Sequence, residues 1–158
     1  MAKTRPSWDE YFSELAQMVG RRSTCVRRQV GAVLVKEDRI IATGYNGAPQ
    51  GVQHCLDIGC LREEMNIPSG QRYELCRGVH AEQNAIINAA RYGVSTLESV
   101  VYSTTQPCML CARMLINAGV KKVVHQGDFS DDLSLQFFRE AGVEVVEIRM
   151  KVADLNGD

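Results

Sequence analysis

The 158-residue sequence has no apolar run approaching the ~20 residues that cross a bilayer, so no membrane span is expected. Its opening, MAKTRPSWDEYF, carries charges where a secretory signal needs an apolar core, and the expectation is a soluble, cytoplasmic protein. Neither sign of charge dominates: 18 Lys and Arg face 19 Asp and Glu, a formal net charge of −1. Nucleic-acid binders usually show a basic face, so neither nucleic acid nor membrane is an expected partner. Repeats, low-complexity tracts and linkers are also missing. That leaves one domain over 1–158, long enough to bury about 70% of its unfolded surface.

Cysteine, in contrast, is plentiful, with six residues. In a reducing compartment they argue against structural disulfides and for metal ligation or catalysis, with ordinary buried cysteines as the alternative. Their spacing has to decide.

The chain alternates between helical and extended patterns. Ser7-Trp-Asp-Glu10 reads as a capping box opening a helix to about Val19. VGAVLV (30–35) and RIIATGY (39–45) are β-rich runs around a polar Lys36-Glu-Asp38, which predicts a hairpin. Residues 46–79 hold Gly, Pro, Cys and charge without periodicity, an insertion of the kind that is functional or pinned. Beyond it come a helix over 81–91, a strand at 99–103 and a helix over 108–118. A strand at 121–126, a helix over 131–141 and a strand at 143–148 complete the pattern. A hairpin followed by alternating strands and helices implies a three-layer α/β/α sandwich around a mixed five-stranded sheet. The last two strands, joined by a helix, should run parallel.

Two short segments carry chemistry. RGVHAEQNAI (77–86) puts His80 and Glu82 two residues apart at a helix start. TTQPCMLCARML (104–115) puts Cys108 and Cys111 three apart in the first turn of the next helix, with Pro107 suiting its start. The positive helix end favours thiolates there. A lone CxxC could be a redox pair, but such pairs usually follow the first strand of their fold, and here HxE lies one strand upstream. His80, Cys108 and Cys111 make three ligands for a zinc whose fourth tetrahedral position stays open to water. Zinc lowers that water's pKa from 15.7 toward about 7. Glu82 is then placed to take the water's proton and pass it to a ring nitrogen and a leaving amine. The two helix starts should meet at the carboxyl edge of the sheet, where open α/β sheets put their ligands.

H-x-E followed by P-C-x-x-C is the signature of the zinc-dependent nucleobase deaminases, and the chain resembles that superfamily over most of its length. Deaminases of free cytidine commonly carry cysteine where His80 stands. GYNGAPQG (44–51), RSTCVRRQVGAV (22–33) and the cysteine-bearing insertion look like the deoxycytidylate deaminases of the cytidine deaminase-like fold. The resemblance implies hydrolysis of dCMP to dUMP and ammonia, with dUMP feeding thymidylate synthesis.

Asn46 is a candidate for the sugar hydroxyl and base edge, the alternative being a turn asparagine. Arg21, Arg22, Arg27 and Arg28 crowd eight residues, and a 5′-phosphate would match their guanidinium forks. Arg22, Ser23 and Arg27 are the candidates, against a solvated basic loop. Thr104 should line the base pocket. Setting Cys108 and Cys111 aside leaves Cys25, Cys55, Cys60 and Cys76, the complement of a closed structural zinc site, and some similar deaminases carry a second zinc in this region. His54 could replace one of these thiolates.

Family resemblance further implies a homo-oligomer, hexamers being favoured. It also implies dCTP as activator and dTTP as inhibitor, with Mg2+, around Asn46 and Gly47. Arg91 resembles a subunit-contact position, or simply complements its helix dipole. Phe129, in HQGDFSD (125–131), stands where such deaminases often carry tyrosine. The competing readings are a tRNA adenosine deaminase, a guanine deaminase, and a zinc-stabilised binding module. The first should show a basic surface, the second needs neither the arginines nor the insertion, and the third has no use for Glu82.

Overall fold

A computed structural model of the chain describes residues 4–127 and 129–150. The two ends of the expected 1–158 domain, and Asp128 in the HQGDFSD loop, lie outside them. The first helix, α1 (Trp8–Gly20), starts on the expected capping box: Ser7 Oγ accepts from Glu10 N at 3.2 Å, and the Glu10 carboxylate accepts from Ser7 N at 2.7 Å. β1 (Gly31–Lys36) and β2 (Arg39–Tyr45) form the hairpin. Its turn residues Glu37 and Asp38 both take left-handed φ, 51° and 58°, the twist a tight two-residue hairpin requires.

The insertion condenses into two four-residue helices, α2 (Cys55–Ile58) and α3 (Leu61–Glu64), and a 3-10 turn over Tyr73–Leu75. Segments this short have no nucleation of their own. α4 (Ala81–Arg91), β3 (Val100–Ser103), α5 (Met109–Asn117), β4 (Lys122–His125), α6 (Asp132–Glu140) and β5 (Glu144–Glu147) follow.

The sheet order is β2-β1-β3-β4-β5. β1 pairs antiparallel with both β2 and β3, while β3, β4 and β5 run parallel. The parallel set is thus one strand larger than the two expected, because α5 returns the chain from β3 to β4 just as α6 returns it from β4 to β5.

Strand alternation sorts the core into two sides. Val33, Val35, Tyr102 and Val124 face α1, where they pack on Phe12 and Ala16. Ala32, Leu34, Val101 and Val123 face the other way, onto Ala81, Ala85, Leu115 and Phe138 of α4, α5 and α6. Each fully buried large side chain in these layers, such as Phe12, Leu34 or Phe138, stabilises the fold by roughly 1.5–3 kcal/mol. Among the described residues no helix is long and apolar enough to cross a membrane.

Two features seat α4 on the edge strand. Asn84 and Asn88, one turn apart, donate to the β2 carbonyls of Tyr45 (2.8 Å) and Thr43 (2.7 Å). Between them Gly44 lets the backbones touch, since a Cβ there would lie 2.3 Å from both Ala81 O and Ala85 N. The start of α4 is therefore fixed against the sheet.

Candidate active site

His80 is the N-cap of α4, and its backbone N–H is accepted by the Gln83 side chain at 3.0 Å, which leaves the imidazole free to point elsewhere. Cys108 is the N-cap of α5, so Pro107 sits one residue before the cap and not at the first helical position. The start of α5 is held by its neighbour. Asp131, the N-cap of α6, accepts from Met109 N through Oδ2 (2.9 Å) and from Ser134 N through Oδ1 (3.0 Å). Ser134 Oγ in turn donates to Pro107 O at 2.8 Å.

These supports bring His80 Nδ1 to 3.4 Å from Cys108 Sγ and 3.3 Å from Cys111 Sγ. Among the described residues this trio alone gathers three ligand atoms within 4.8 Å of one another. A tetrahedral zinc with ordinary Zn–S and Zn–N bonds separates such atoms by about 3.6 Å, so the residues present fit the ion. The thiols are poised unequally: a hydrogen bond from Cys111 holds Cys108 down to about 4, aided by His80 and opposed by burial. The same hydrogen bond, with burial and the nearby Glu82, pushes Cys111 up.

Glu82, 3% exposed, lies in the first turn of α4. Ser103 Oγ, at the carboxyl end of β3, donates to its Oε1 at 2.9 Å, and Oε2 faces Cys111 Sγ at 3.5 Å. Burial raises the carboxyl's pKa, while its own backbone N–H, His80 and Ser103 pull the other way. A carboxyl buried and held this way is suited to accept and return a proton.

One cavity contains His80, Glu82 and Cys108, and its walls show where the other expected residues lie. Asn46 and Gly47 line it, yet both ends of the Asn46 amide are engaged: Oδ1 accepts from Val30 N and Nδ2 donates to Arg28 O, each at 2.8 Å. Arg27 lines it and Arg22 does not. Ser23 is likewise not part of the wall, and its hydroxyl donates to Asn46 O at 2.9 Å. Thr104 lies just past the end of β3 and is turned away from the cavity. Its Oγ1 accepts from Gly31 N, and Thr105 lines the cavity instead.

Cys25, Cys55, Cys60 and Cys76 all reach the same cavity as free thiols. Burial, then the neighbouring Cys60, Cys25 and Cys76, raise the Cys55 thiol. His54, the N-cap of α2, is exposed and outside the wall. Arg91 is exposed, and its Nη1 donates to Gln50 Oε1 at 3.1 Å. Phe129 lines the cavity beneath the Arg28 guanidinium, 5.9 Å from its ring centroid.

Sequence reasoning missed Ser103, Arg62 and Tyr73. Ser103 carried a faint signal as the polar end of an apolar strand; the other two, inside the aperiodic insertion, carried none.

Fold and site together define a zinc-type deaminase domain. A family model described as the cytidine and deoxycytidylate deaminase zinc-binding region matches residues 6–126, and the chain belongs to that family. The chain is 39% identical over 142 residues to the deoxycytidylate deaminase of Schizosaccharomyces pombe, covering 89% of this chain but 44% of the yeast protein. It is 38% identical over 154 residues to ComE operon protein 2 of Bacillus subtilis, covering 96% of this chain and 77% of that protein. The chain thus spans less than half the length of its yeast relative. Among solved structures, the dCMP deaminase of cyanophage S-TIM5 in complex with dCMP and dUMP superposes with a TM-score of 0.77 at 31% identity, covering 92% of this chain and 100% of that one.

Proposed function

We propose that the chain hydrolyses dCMP to dUMP and ammonia. The observation that carries this reading is Glu82, a buried carboxylate fixed by Ser103 and aimed at the side of a His/Cys/Cys trio. His80, Cys108 and Cys111 would hold the zinc, and a bound zinc supplies the Lewis acidity that makes hydroxide available near pH 7. Glu82 accepts the attacking water's proton at Oε2. It delivers that proton to the ring nitrogen beside the amino-bearing carbon, then takes the second proton from the newly added hydroxyl and passes it to the amine, which departs as ammonia. Ser103 holds the carboxylate in aim. The burial of Glu82 in the cavity wall strengthens its charge interactions. The nucleotide substrate is supported by the names of the relatives above and by the guanidinium groups of Arg27, Arg28 and Arg62 in the wall.

The same reading includes a second, structural zinc held by Cys25, Cys55, Cys60 and Cys76. Its support is that these four thiols line one cavity wall and that Cys60, Cys25 and Cys76 lie near enough to raise the Cys55 thiol, three of the four belonging to an insertion with little apolar core of its own. It also extends to dCTP and dTTP, with Mg2+, acting around Asn46 and Gly47. Gly47 exchanges two backbone hydrogen bonds (3.2 and 2.7 Å) with Val79, the residue before His80, so a ligand at that turn would bear directly on the metal-side helix start. Hexamers with Arg91 at a subunit contact complete the reading.

The deciding assay compares ammonia release from dCMP, deoxycytidine, guanine and a tRNA anticodon stem. Clear preference for dCMP is the expected result; preference for any other substrate overturns the assignment.

A further inference from the structure

We infer that Arg62, in the insertion, reads the anionic end of the substrate and sets the preference for a nucleotide over a nucleoside; this rests on the deaminase reading above. Arg62 is 7% exposed. An arginine that deep is ordinarily neutralised by a carboxylate, because an unpaired buried charge is strongly unfavourable. Arg62 forms no ion pair among the described residues. Its Nε has no hydrogen-bond partner, and Nη2 reaches only Pro68 O, at 3.5 Å. Most of its five N–H donors are therefore unspent inside the active-site cavity.

The other two cavity arginines differ from it. Arg27 is engaged twice, its Nη1 donating to Ile67 O at 3.1 Å and its Nε lying 3.9 Å from Glu63, while Arg28 is exposed to solvent and donates from Nη2 to Thr105 Oγ1 at 3.3 Å. Arg62 is also held in place. Its guanidinium lies over Tyr73, 5.2 Å from the ring centroid, and Tyr73 meets the His80 ring edge-on at 4.9 Å. One aromatic ring thus separates the unpaired guanidinium from a ligand of the metal trio. A pyrimidine nucleotide carries its amino group at one end and its phosphate dianion at the other. The phosphate would supply the counter-charge that the protein withholds, in the planar fork geometry that suits guanidinium. Arg62 also sits in the short helix α3, whose N-cap is Cys60.

The test uses the zinc-loaded protein and its Arg62→Gln variant, with dCMP and deoxycytidine as substrates and dUMP and deoxyuridine as binding probes. The variant should lose about 100-fold in kcat/KM for dCMP and in dUMP affinity, with deoxycytidine turnover and deoxyuridine affinity changed by less than about threefold. Equal losses for nucleotide and nucleoside would make Arg62 a prop for Tyr73 and overturn the inference, as would an unchanged dCMP reaction. Should the variant fail to fold or retain zinc, a crystal structure of the wild-type protein with dUMP decides. Phosphate oxygens within hydrogen-bond distance of Arg62 support the assignment, and a phosphate bound elsewhere refutes it. A wild-type protein that does not prefer dCMP to deoxycytidine fails at the substrate assignment itself, a different result from a dCMP-selective enzyme indifferent to Arg62.

Discussion

Ser103 Oγ donates to Glu82 Oε1 at 2.9 Å, linking the last residue of β3 to the first turn of α4. The bond leaves Oε2 as the oxygen facing Cys111 of the ligand trio, so in the proposed mechanism one hydroxyl selects the half of the carboxylate that would handle protons. Replacing Glu82 with Gln removes the proton carrier while keeping shape and burial. We expect kcat to fall by about 10²–10⁴-fold with zinc content and thermal midpoint retained. Ser103→Ala should cost about tenfold in kcat with little change in KM, because it loosens aim without removing the carboxylate. Steady-state kinetics beside metal analysis checks both, and full activity in Glu82→Gln would remove that residue from the mechanism.

Zinc content separates the two thiol groups. Wild-type protein should carry two zinc ions per chain. Cys111→Ser should lose one of them along with all turnover. Cys60→Ser should lose the other and loosen the insertion, since a structural zinc contributes on the order of 10–16 kcal/mol of apparent binding energy that α2 and α3 cannot replace. A wild-type stoichiometry of one would end the second site.

Legibility in the sequence followed the range of the interactions. The α1 capping box, the hairpin and the H-x-E and P-C-x-x-C segments are local, and each reads directly from residue spacing. Contacts between distant residues were not legible. Ser103 and Glu82 are 21 positions apart, and nothing local marks their meeting. Thr104 and Thr105 both follow the end of β3, and which of them lines the cavity depends on how the chain turns there. Arg62 sits in a segment without periodicity, so no pattern could have placed it in the cavity.

Asp131 caps two helices at once, accepting from Met109 N and Ser134 N. Each cap contributes about 1 kcal/mol, so Asp131→Ala should destabilise by about 2 kcal/mol. That corresponds to a fall in thermal midpoint of roughly 4–8 °C. Because Met109 follows Cys108, the variant should also release zinc faster to a chelator. Calorimetry and competition with a zinc indicator test the two effects, and a midpoint unchanged within error would remove Asp131 as the support of the α5 start.

Gly44 has no room for a methyl group, the nearest atoms being backbone of α4 at 2.3 Å. Gly44→Ala must push α4 away from β2 and disturb the bonds from Asn84 and Asn88. Overpacking of this kind costs about 1–3 kcal/mol, and more where backbone must move. The displaced helix carries both His80 and Glu82, so turnover should fall further than stability alone predicts. Activity measured well below the unfolding midpoint isolates that displacement, and a fully active variant would show that α4 can shift without consequence.

His125 ends β4 at 6% exposure with no partner for Nδ1. Burial lowers its pKa below the ordinary 6.5, against smaller opposing effects from the Gln126 backbone and Glu147. The folded protein therefore keeps this imidazole neutral at a pH where the unfolded chain has protonated it. Its contribution to stability is fully present above about pH 6.5 and is lost as pH falls from there to the folded-state value. The thermal midpoint of the zinc-loaded protein should accordingly decline on acidification through this window. His125→Gln should flatten the decline there, whatever it does to the midpoint at pH 8. An identical slope in the variant would assign the acid sensitivity to the carboxylates, and His125 would then be a buried ring whose protonation the fold tolerates.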